Sequence, residues 1–413
     1  MHPMSAERRM RYHGRIAHRC AARHEGARMA QENSTSKVYF TNMRTTTRDS
    51  IPAKLTRLVR AAGIEGLDLD GKYIGIKAHF GEMNNVTFLK PAYTRTLAKE
   101  IARLGGRPFV FDCCTLYPGM RANALDHLQC AAENGFNAQS CACPVLIGDG
   151  LRGNDEVALP TPAGSQLDHA LVGRVVQDMD LLVTLTHAKG CMSTGYAGTL
   201  KNLSMGCASR AGKMAMHSEG LMSVIASKCV GCGICTTKCQ HGAIAVVADE
   251  DGAPKATVDP QACVGCGYCL PFCPKGALIG AMNEKYGTLQ RKMAEYAGAV
   301  TAAVPCLHVT VAADITPSCD CFPGNDAPMV PNVGIFASMD PVALDQAVSD
   351  KVNAQPENVG GPVPDLQAKA QAEGVEAPTH FHAVNPHANW EICLQHAEEL
   401  GVGTRAYTLV EVD

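Results

Sequence analysis

No stretch of this chain approaches the roughly 18 consecutive apolar residues that a bilayer-spanning helix needs. The segment from Met1 to Met29 carries arginines and histidines but no apolar core of the kind a secretion signal requires. Arg8-Arg9 is likewise not followed by the hydrophobic run of a twin-arginine signal. Charge of one sign is also missing: 37 Lys and Arg face 40 Asp and Glu, for a formal net charge of -3. That balance excludes the electrostatic footprint of a nucleic-acid or anionic-membrane binder. Neither a Walker loop nor a Gly-x-Gly-x-x-Gly turn is present, so no nucleotide is expected. These absences point to a soluble chain in the reducing cytoplasm, where cysteines stay free or bind metal. Residues 1–36 read as a basic, disordered tail, with Met29 as an alternative translation start.

What the chain does have is 20 cysteines, and they are not evenly spread. Two runs share one shape: Cys229-x2-Cys232-x2-Cys235-x3-Cys239 and Cys263-x2-Cys266-x2-Cys269-x3-Cys273-Pro274. They repeat with an offset of 34 residues, and their flanks repeat too, His241-Gly-Ala-Ile244 matching Lys275-Gly-Ala-Leu278. This is the spacing by which bacterial ferredoxins hold two [4Fe–4S] clusters, the fourth thiolate of each run serving the other cluster. Cluster I is therefore expected on Cys229, Cys232, Cys235 and Cys273, and cluster II on Cys239, Cys263, Cys266 and Cys269. Gly231, Gly233, Gly265 and Gly267 let the backbone wrap closely around the sulfurs. The segments Ala243 to Ala248 and Lys255 to Val258 read as a hairpin around Asp249-Glu-Asp-Gly. Zinc is the weaker reading, since its sites take four ligands in two pairs.

Around the runs, strands and helices alternate. Strands are expected at 37–43, 73–80, 108–112, 144–147 and 181–187, with helices at 50–62, 91–104 and 121–133 between them. The alternation resumes with a helix at 284–298, strands at 307–312 and 333–338, a helix opened by Asp340-Pro341, and a final helix and strand at 389–400 and 405–412. Such a pattern predicts an α/β host domain with a largely parallel, buried sheet. The host is discontinuous, 37–222 and 281–413, and carries an inserted α+β ferredoxin-like domain at 223–280. Residues 354–388 lack a clear period and are expected to form a long loop or peripheral cover.

Two strand ends carry mirrored groups, Lys77-Ala-His79 and His187-Ala-Lys189, whose alternate residues share a strand face. Both fall at the carboxyl edge, where open α/β sheets bind ligands. With Glu82 they make a candidate site: His79, His187, Glu82 and Lys189 for proton chemistry, Lys77 and Lys201 for an anionic ligand. Gly195 to Gly206 is expected to open a helix N-terminus to that anion. Cys319-Asp320-Cys321 and Cys191 are further candidates, for metal or redox chemistry. The remaining isolated cysteines are expected in the core.

Several motifs together resemble the family called domain of unknown function 362, in its iron–sulfur centre branch. They are Lys77-Ala-His-Phe-Gly-Glu82, Asp112 with Thr115-Leu-Tyr117, Gly150-Leu-Arg-Gly153, Thr186-His-Ala-Lys-Gly190, Gly198-Thr-Leu-Lys-Asn202, Asp320-Cys321, Asn325-Asp-Ala-Pro328 and Asp340-Pro-Val-Ala-Leu-Asp345. The resemblance implies cluster binding and an α/β host, without an established reaction. This chain departs from the family pattern at Cys191, where a second histidine is usual.

The expected function is an iron–sulfur protein that moves electrons to or from a site in the host. As an enzyme it would be an oxidoreductase component of unassigned substrate. Its partner would be an anionic small molecule or a redox protein. The alternatives are a pure electron carrier that docks to a redox partner, and a protein that hands on metal or clusters.

Overall fold

The computed structural model describes residues 35–117, 119–217, 222–239, 241–263, 269, 272–280 and 287–412. The expected tail lies outside them except for its last two positions, and Ser36 already opens the first strand.

Eight strands form one sheet: β1 (Ser36–Asn42), β2 (Tyr73–Lys77), β3 (Arg107–Asp112), β4 (Val145–Ile147), β5 (Leu181–His187), β6 (Cys306–Ala312), β7 (Gly334–Ser338) and β8 (Tyr407–Glu411). Their spatial order is β8-β1-β7-β6-β5-β2-β3-β4. Only β7 runs against its neighbours; the other five pairings are parallel. The fold is thus mixed α/β with a large, mostly parallel sheet.

Consecutive residues of the central strands feed opposite faces, which is why these strands read as continuous apolar runs. Val183, Leu185, Val309, Val311, Ile335 and Ala337 face one core with Leu55 and Leu58 of α1 (Ile51–Ala61) and Leu97 and Ile101 of α2 (Pro91–Arg103). Leu182, Ala312 and Phe336 face the other core with Met293 and Val300 of a helix at Thr288–Ala303 and Leu344 and Val348 of a helix at Pro341–Asn353. Helix starts follow the expected chemistry. The Ser50 and Asp340 side chains cap α1 and the Pro341 helix, Asp340 accepting from Val342 N (2.9 Å) and Ala343 N (3.0 Å).

Three local readings change. The helix expected from Arg121 begins only at Ala124, because Asn123 caps it through Leu125 N and Asp126 N; Arg121 is left in the preceding turn. Residues 354–388 contain helices at Val363–Ala372 and His380–Val384, with Phe381 stacked against Tyr196 and Trp390. A hairpin at Glu156–Pro160 and His169–Gly173 was not expected at all.

Chain direction places the ligand edge. From β2 the order proceeds to β3 and β4, then returns across β2 to β5 and onward to β6. The reversal falls between β2 and β5, and ligands of open α/β sheets bind outside the carboxyl ends at such a point. Beyond β5 the chain turns into a short strand, Lys189–Cys191, paired with Gly195–Ala197. A segment led by Pro317 presses down on it: Gly190 N donates to Thr316 O (2.8 Å), and a side chain at Gly190 would meet Pro317 backbone atoms at 2.6–2.8 Å. Gly190→Ala is therefore expected to cost about 1–3 kcal/mol through overpacking, read as a lower denaturation midpoint. An unchanged midpoint would mean that the 317–321 segment does not lie against this strand.

Candidate functional site

Outside the carboxyl ends of β2, β3 and β5 lies a cavity of about 330 Å³. Both mirrored strand-end pairs reach it: Lys77 and His79 from one side, His187 and Lys189 from the other, together with Lys201, Cys191, Cys319 and Cys321. Of the expected host residues Glu82 and Asp320 do not line it; Glu82 stands behind, its Oε2 3.5 Å from Arg121 Nε. Five basic side chains line the wall (Lys77, Arg121, Lys189, Lys201 and Lys213) against one carboxylate, Asp112.

Each buried charge is held in a specific pair. Lys77 Nζ meets Asp112 Oδ1 at 2.9 Å and donates to Asn202 Oδ1 (3.0 Å) and Ala78 O (3.1 Å). Burial pushes the Asp112 carboxyl up, but Lys77, the His127 hydrogen bond and Arg121 outweigh it and hold its pKa well below the usual aspartate range. Arg121 joins the site as its unforeseen member. Its Nη1 contacts Asp112 Oδ2 at 3.2 Å and His79 Nε2 at 2.8 Å, and its Nη2 donates to the Tyr117 hydroxyl at 3.0 Å. Nothing in the sequence marks Arg121, which reads as one more helix-opening residue. Burial, then Arg121, push the His79 imidazole well below its ordinary pKa; Gly81 N also donates to its Nδ1 at 3.0 Å. His79 is therefore neutral at physiological pH. Burial raises Tyr117 well above its usual range and keeps it a phenol, a hydrogen-bond donor.

On the opposite wall Asp320 is fully buried. Its carboxylate accepts from His187 Nδ1 (3.0 Å) and pairs with Lys189 Nζ (3.0 Å). The other ring nitrogen of His187 lies 2.7 Å from Ala313 O, so both nitrogens of this ring are committed to acceptors. Burial alone would raise the Asp320 carboxyl; His187 and Lys189 outweigh it and hold it well below 3.8.

The expected helix N-terminus does not face the cavity with open amides. The helix at Thr199–Leu203 has only five residues, and its first N–H groups, Thr199 N and Leu200 N, donate to Asp345 at 2.6 and 2.9 Å. The chain's own carboxylate takes the place assigned to an external anion. Lys201 and Asn202, from that helix, do reach the cavity.

A second cavity, about 20 Å³, lies in the cysteine-rich segment and is lined by Cys229, Cys232, Cys235 and Cys273, the four thiols expected to share cluster I. Gly231 and Gly233 take positive φ there, 64° and 72°. Backbone N–H groups point at the sulfurs: Ala256 N to Cys229 Sγ (3.2 Å), and, at matching places of the repeat, Ala243 N to Cys239 Sγ (3.3 Å) and Ala277 N to Cys273 Sγ (3.2 Å). The expected hairpin is present at Ile244–Ala248 and Pro254–Val258. Strands Met222–Val224 and Leu278–Gly280 pair antiparallel, bringing the two ends of the segment together. Cys266, Gly265 and Gly267 lie outside the described residues. Among the described residues no three His, Cys, Asp or Glu donors converge tightly enough to hold a metal ion. Leu278 lines both cavities, and Leu116 packs on the cysteine cluster while lining the larger one.

Fold and cavity together define an α/β protein with a ligand-sized, cation-lined cavity at the switch point of its sheet. The chain belongs to the family described as Domain of unknown function (DUF362), whose model matches residues 74–350. No curated protein matches it. Among solved structures it is similar to the lactate racemase apoprotein from Thermoanaerobacterium thermosaccharolyticum, with 12% identity, a TM-score of 0.34, and coverage of 68% of this chain and 51% of that one. A Thermotoga maritima structural-genomics protein is similar at 13% identity and a TM-score of 0.33, with coverage of 66% and 52%. The chain thus spans about half the length of each. Among the described residues no helix is long and apolar enough to cross a membrane.

Asp320→Asn is expected to cost about 3–5 kcal/mol, because it leaves the buried Lys189 ammonium without its anion, read as a lower urea midpoint at pH 7. The sign of the pH dependence follows from the depressed pKa. The pair's contribution is present above 3.8 and is lost as pH falls below it. The variant should therefore lose part of the wild-type's acid sensitivity below about pH 4. Equal midpoints for variant and wild type would refute the pairing.

Proposed function

We propose that this chain is a cytoplasmic iron–sulfur protein that binds two [4Fe–4S] clusters and exchanges electrons with an anionic small molecule in the cavity of its α/β host. One observation carries the reading: Leu278 forms a wall of both the four-thiol cavity and the cation-lined cavity. A redox group in the first would be separated from a ligand in the second by side chains such as Leu278 and Leu116.

The donor chemistry supports the reading, since thiols at this spacing are the ligands such a group takes. Four thiols from both repeats line one cavity, N–H groups point at two of them, Cys229 and Cys273, and a third N–H points at Cys239 outside it. Cys229, Cys232, Cys235 and Cys273 would hold cluster I; Cys239, Cys263, Cys266 and Cys269 would hold cluster II. Bound there, the clusters supply one-electron storage and relay. In this reading residues 223–280 form the ferredoxin-like insertion, and 37–222 with 281–413 form the host.

The host residues divide the remaining work. Lys77, Lys201 and Lys213 attract the anion, and the cationic wall stabilises negative charge that grows as the ligand is reduced. Arg121 and the Tyr117 phenol offer N–H and O–H donors on the same wall. Proton transfer is assigned to His79, whose ring lines the cavity and faces only donors, Gly81 N and Arg121, where the His187 ring faces only acceptors. His187, bound at both nitrogens, acts with Lys189 to hold the opposite wall through Asp320, and Glu82 stands behind Arg121.

Anaerobic purification should yield roughly eight irons and as many sulfides per chain, with coupled EPR signals on reduction. Cys273→Ser should remove the cluster I signal and leave the other. His79→Gln and Lys201→Ala should keep both signals, while abolishing the thermal shift given by small carboxylates or phosphate and the ligand-dependent reoxidation of the reduced protein. Chains reconstituted with iron and sulfide that retain neither would sink the reading. Intact clusters with no anion-dependent shift would instead favour an electron carrier docking to a protein.

A further inference from the structure

Four cysteines outside the two runs line the large cavity, and three of them, Cys191, Cys319 and Cys321, cluster together. Cys191 ends the short strand after β5, and Cys319 and Cys321 flank the buried Asp320. The three pack with Ala197 as one cluster, and the Cys319 thiol is within hydrogen-bonding reach of both others. All are unbridged. Core packing is the ordinary fate of buried cysteine, but two features set this group apart. Its sulfurs line a cavity, and a buried ammonium is devoted to them: Lys201 Nζ donates to Cys191 Sγ at 2.8 Å and to Cys319 Sγ at 3.8 Å. Burial opposes the charge on Lys201, yet the thiols raise its pKa above the usual lysine range. A cation held against thiols is the setting that turns a thiol into a thiolate nucleophile.

We propose that Cys191, Cys319 and Cys321 form a dithiol–disulfide redox centre that exchanges with small disulfides entering the cavity. Cys321 is the entry thiol. Its thiolate attacks one sulfur of R–S–S–R, forming a Cys321–S–S–R bond and releasing RS⁻, which takes up a proton. Cys319, deprotonated in turn, attacks Cys321 Sγ and expels the second RS⁻. Cys191 then attacks Cys319 Sγ, so that the bond rests between Cys191 and Cys319 and Cys321 returns to thiolate. In sum two protein thiols lose two electrons and two protons, and R–S–S–R becomes two RSH. An external dithiol runs the sequence backward. The link between Cys319 and Cys321, two residues apart, is strained and serves only in passing.

The order of roles follows the surroundings of each sulfur. Cys321 is faced by Cys319, Lys201, Cys191, Arg121 and Tyr117. The hydrogen bond from Cys319 first, and then Lys201 and Arg121, hold it down to about 7 against burial and Cys191. The Cys319 hydrogen bond and burial push Cys191 up to about 11, which suits the last thiol to react. Asp320, pinned by His187 and Lys189, holds Cys319 and Cys321 on either side of it toward the cavity. This centre does not depend on the [4Fe–4S] reading.

The test uses the full chain with its native metal content, equilibrated anaerobically in glutathione buffers of increasing oxidising strength, alkylated and peptide-mapped. A Cys191–Cys319 linked peptide is expected to grow with oxidation and vanish with dithiothreitol. Cys191→Ser should abolish it and accumulate glutathione on Cys321. Cys321→Ser should slow its formation by about tenfold or more. Should Cys191→Ser fail to fold, the wild-type chain still decides: Cys321 alkylation should reach half its maximal rate near pH 7. Three thiols that stay alkylatable in the most oxidising buffer, links confined to the eight run cysteines, zinc bound one per chain across the three sulfurs, or a Cys321 that reacts only above the ordinary thiol range would each overturn the proposal.

Discussion

A carboxylate shut away from water must find a cation and donors or give up its charge, and Asp320 finds the Lys189 ammonium and the His187 ring. His187 and Lys189, both at the end of β5, hold it at 3.0 Å. Because Asp320 sits between Cys319 and Cys321, this pairing also docks the segment after β6 onto the switch point of the sheet. Gly190 permits the approach, since any side chain there would strike Pro317. Glu82 N donates to Asp320 O at 2.8 Å, so the segment after β2 is tied to the same point. This anchor adds to the β2–β5 pairing and the Asn202 bridge between Lys77 and Thr186 in holding the two walls together.

The same logic governs the β2 wall, where Asp112 gathers Lys77 and Arg121. The two anchored carboxylates differ in what they leave for a ligand. Asp320 is saturated and turned inward, whereas the Asp112 group brings Arg121, Tyr117 and His79 to the cavity surface. Cations on the lining outnumber carboxylates five to one, so the pairing is incomplete as seen from inside. An incoming anion would meet donors already fixed in place, which lowers the cost of ordering them on binding.

How much of this could be read beforehand depends on whether a signal is local. The alternation of strand and helix and the Asp340-Pro341 cap are local, and the structure contains both where expected; the spacing of the cysteine runs is local as well. The mirrored Lys-Ala-His and His-Ala-Lys strand ends are local too, though their meeting across the β2/β5 switch is a matter of topology. Arg121 could not be found because its role is made entirely by partners distant in the chain. Residues 354–388 misled because short helices held by Phe381 and Trp390 take their stability from packing rather than from periodicity. The glycine-rich stretch before Thr199 carried a genuine helix start, but its anion partner, Asp345, lies 146 residues away.

The two sulfur-rich regions stand on different terms with the cavity. The thiols of the runs are screened from it by Leu116 and Leu278, whereas Cys191, Cys319 and Cys321 open onto it directly. The first arrangement suits a group that passes charge through a wall without exchanging atoms. The second suits sulfurs that make and break bonds with whatever enters. Lys201 distinguishes them further: its ammonium donates to Cys191 and Cys319 and helps to lower the Cys321 pKa, while Cys229, Cys239 and Cys273 are met by backbone N–H groups. Cys191 supplies the third thiol without which a disulfide would have to rest on the strained Cys319–Cys321 pair.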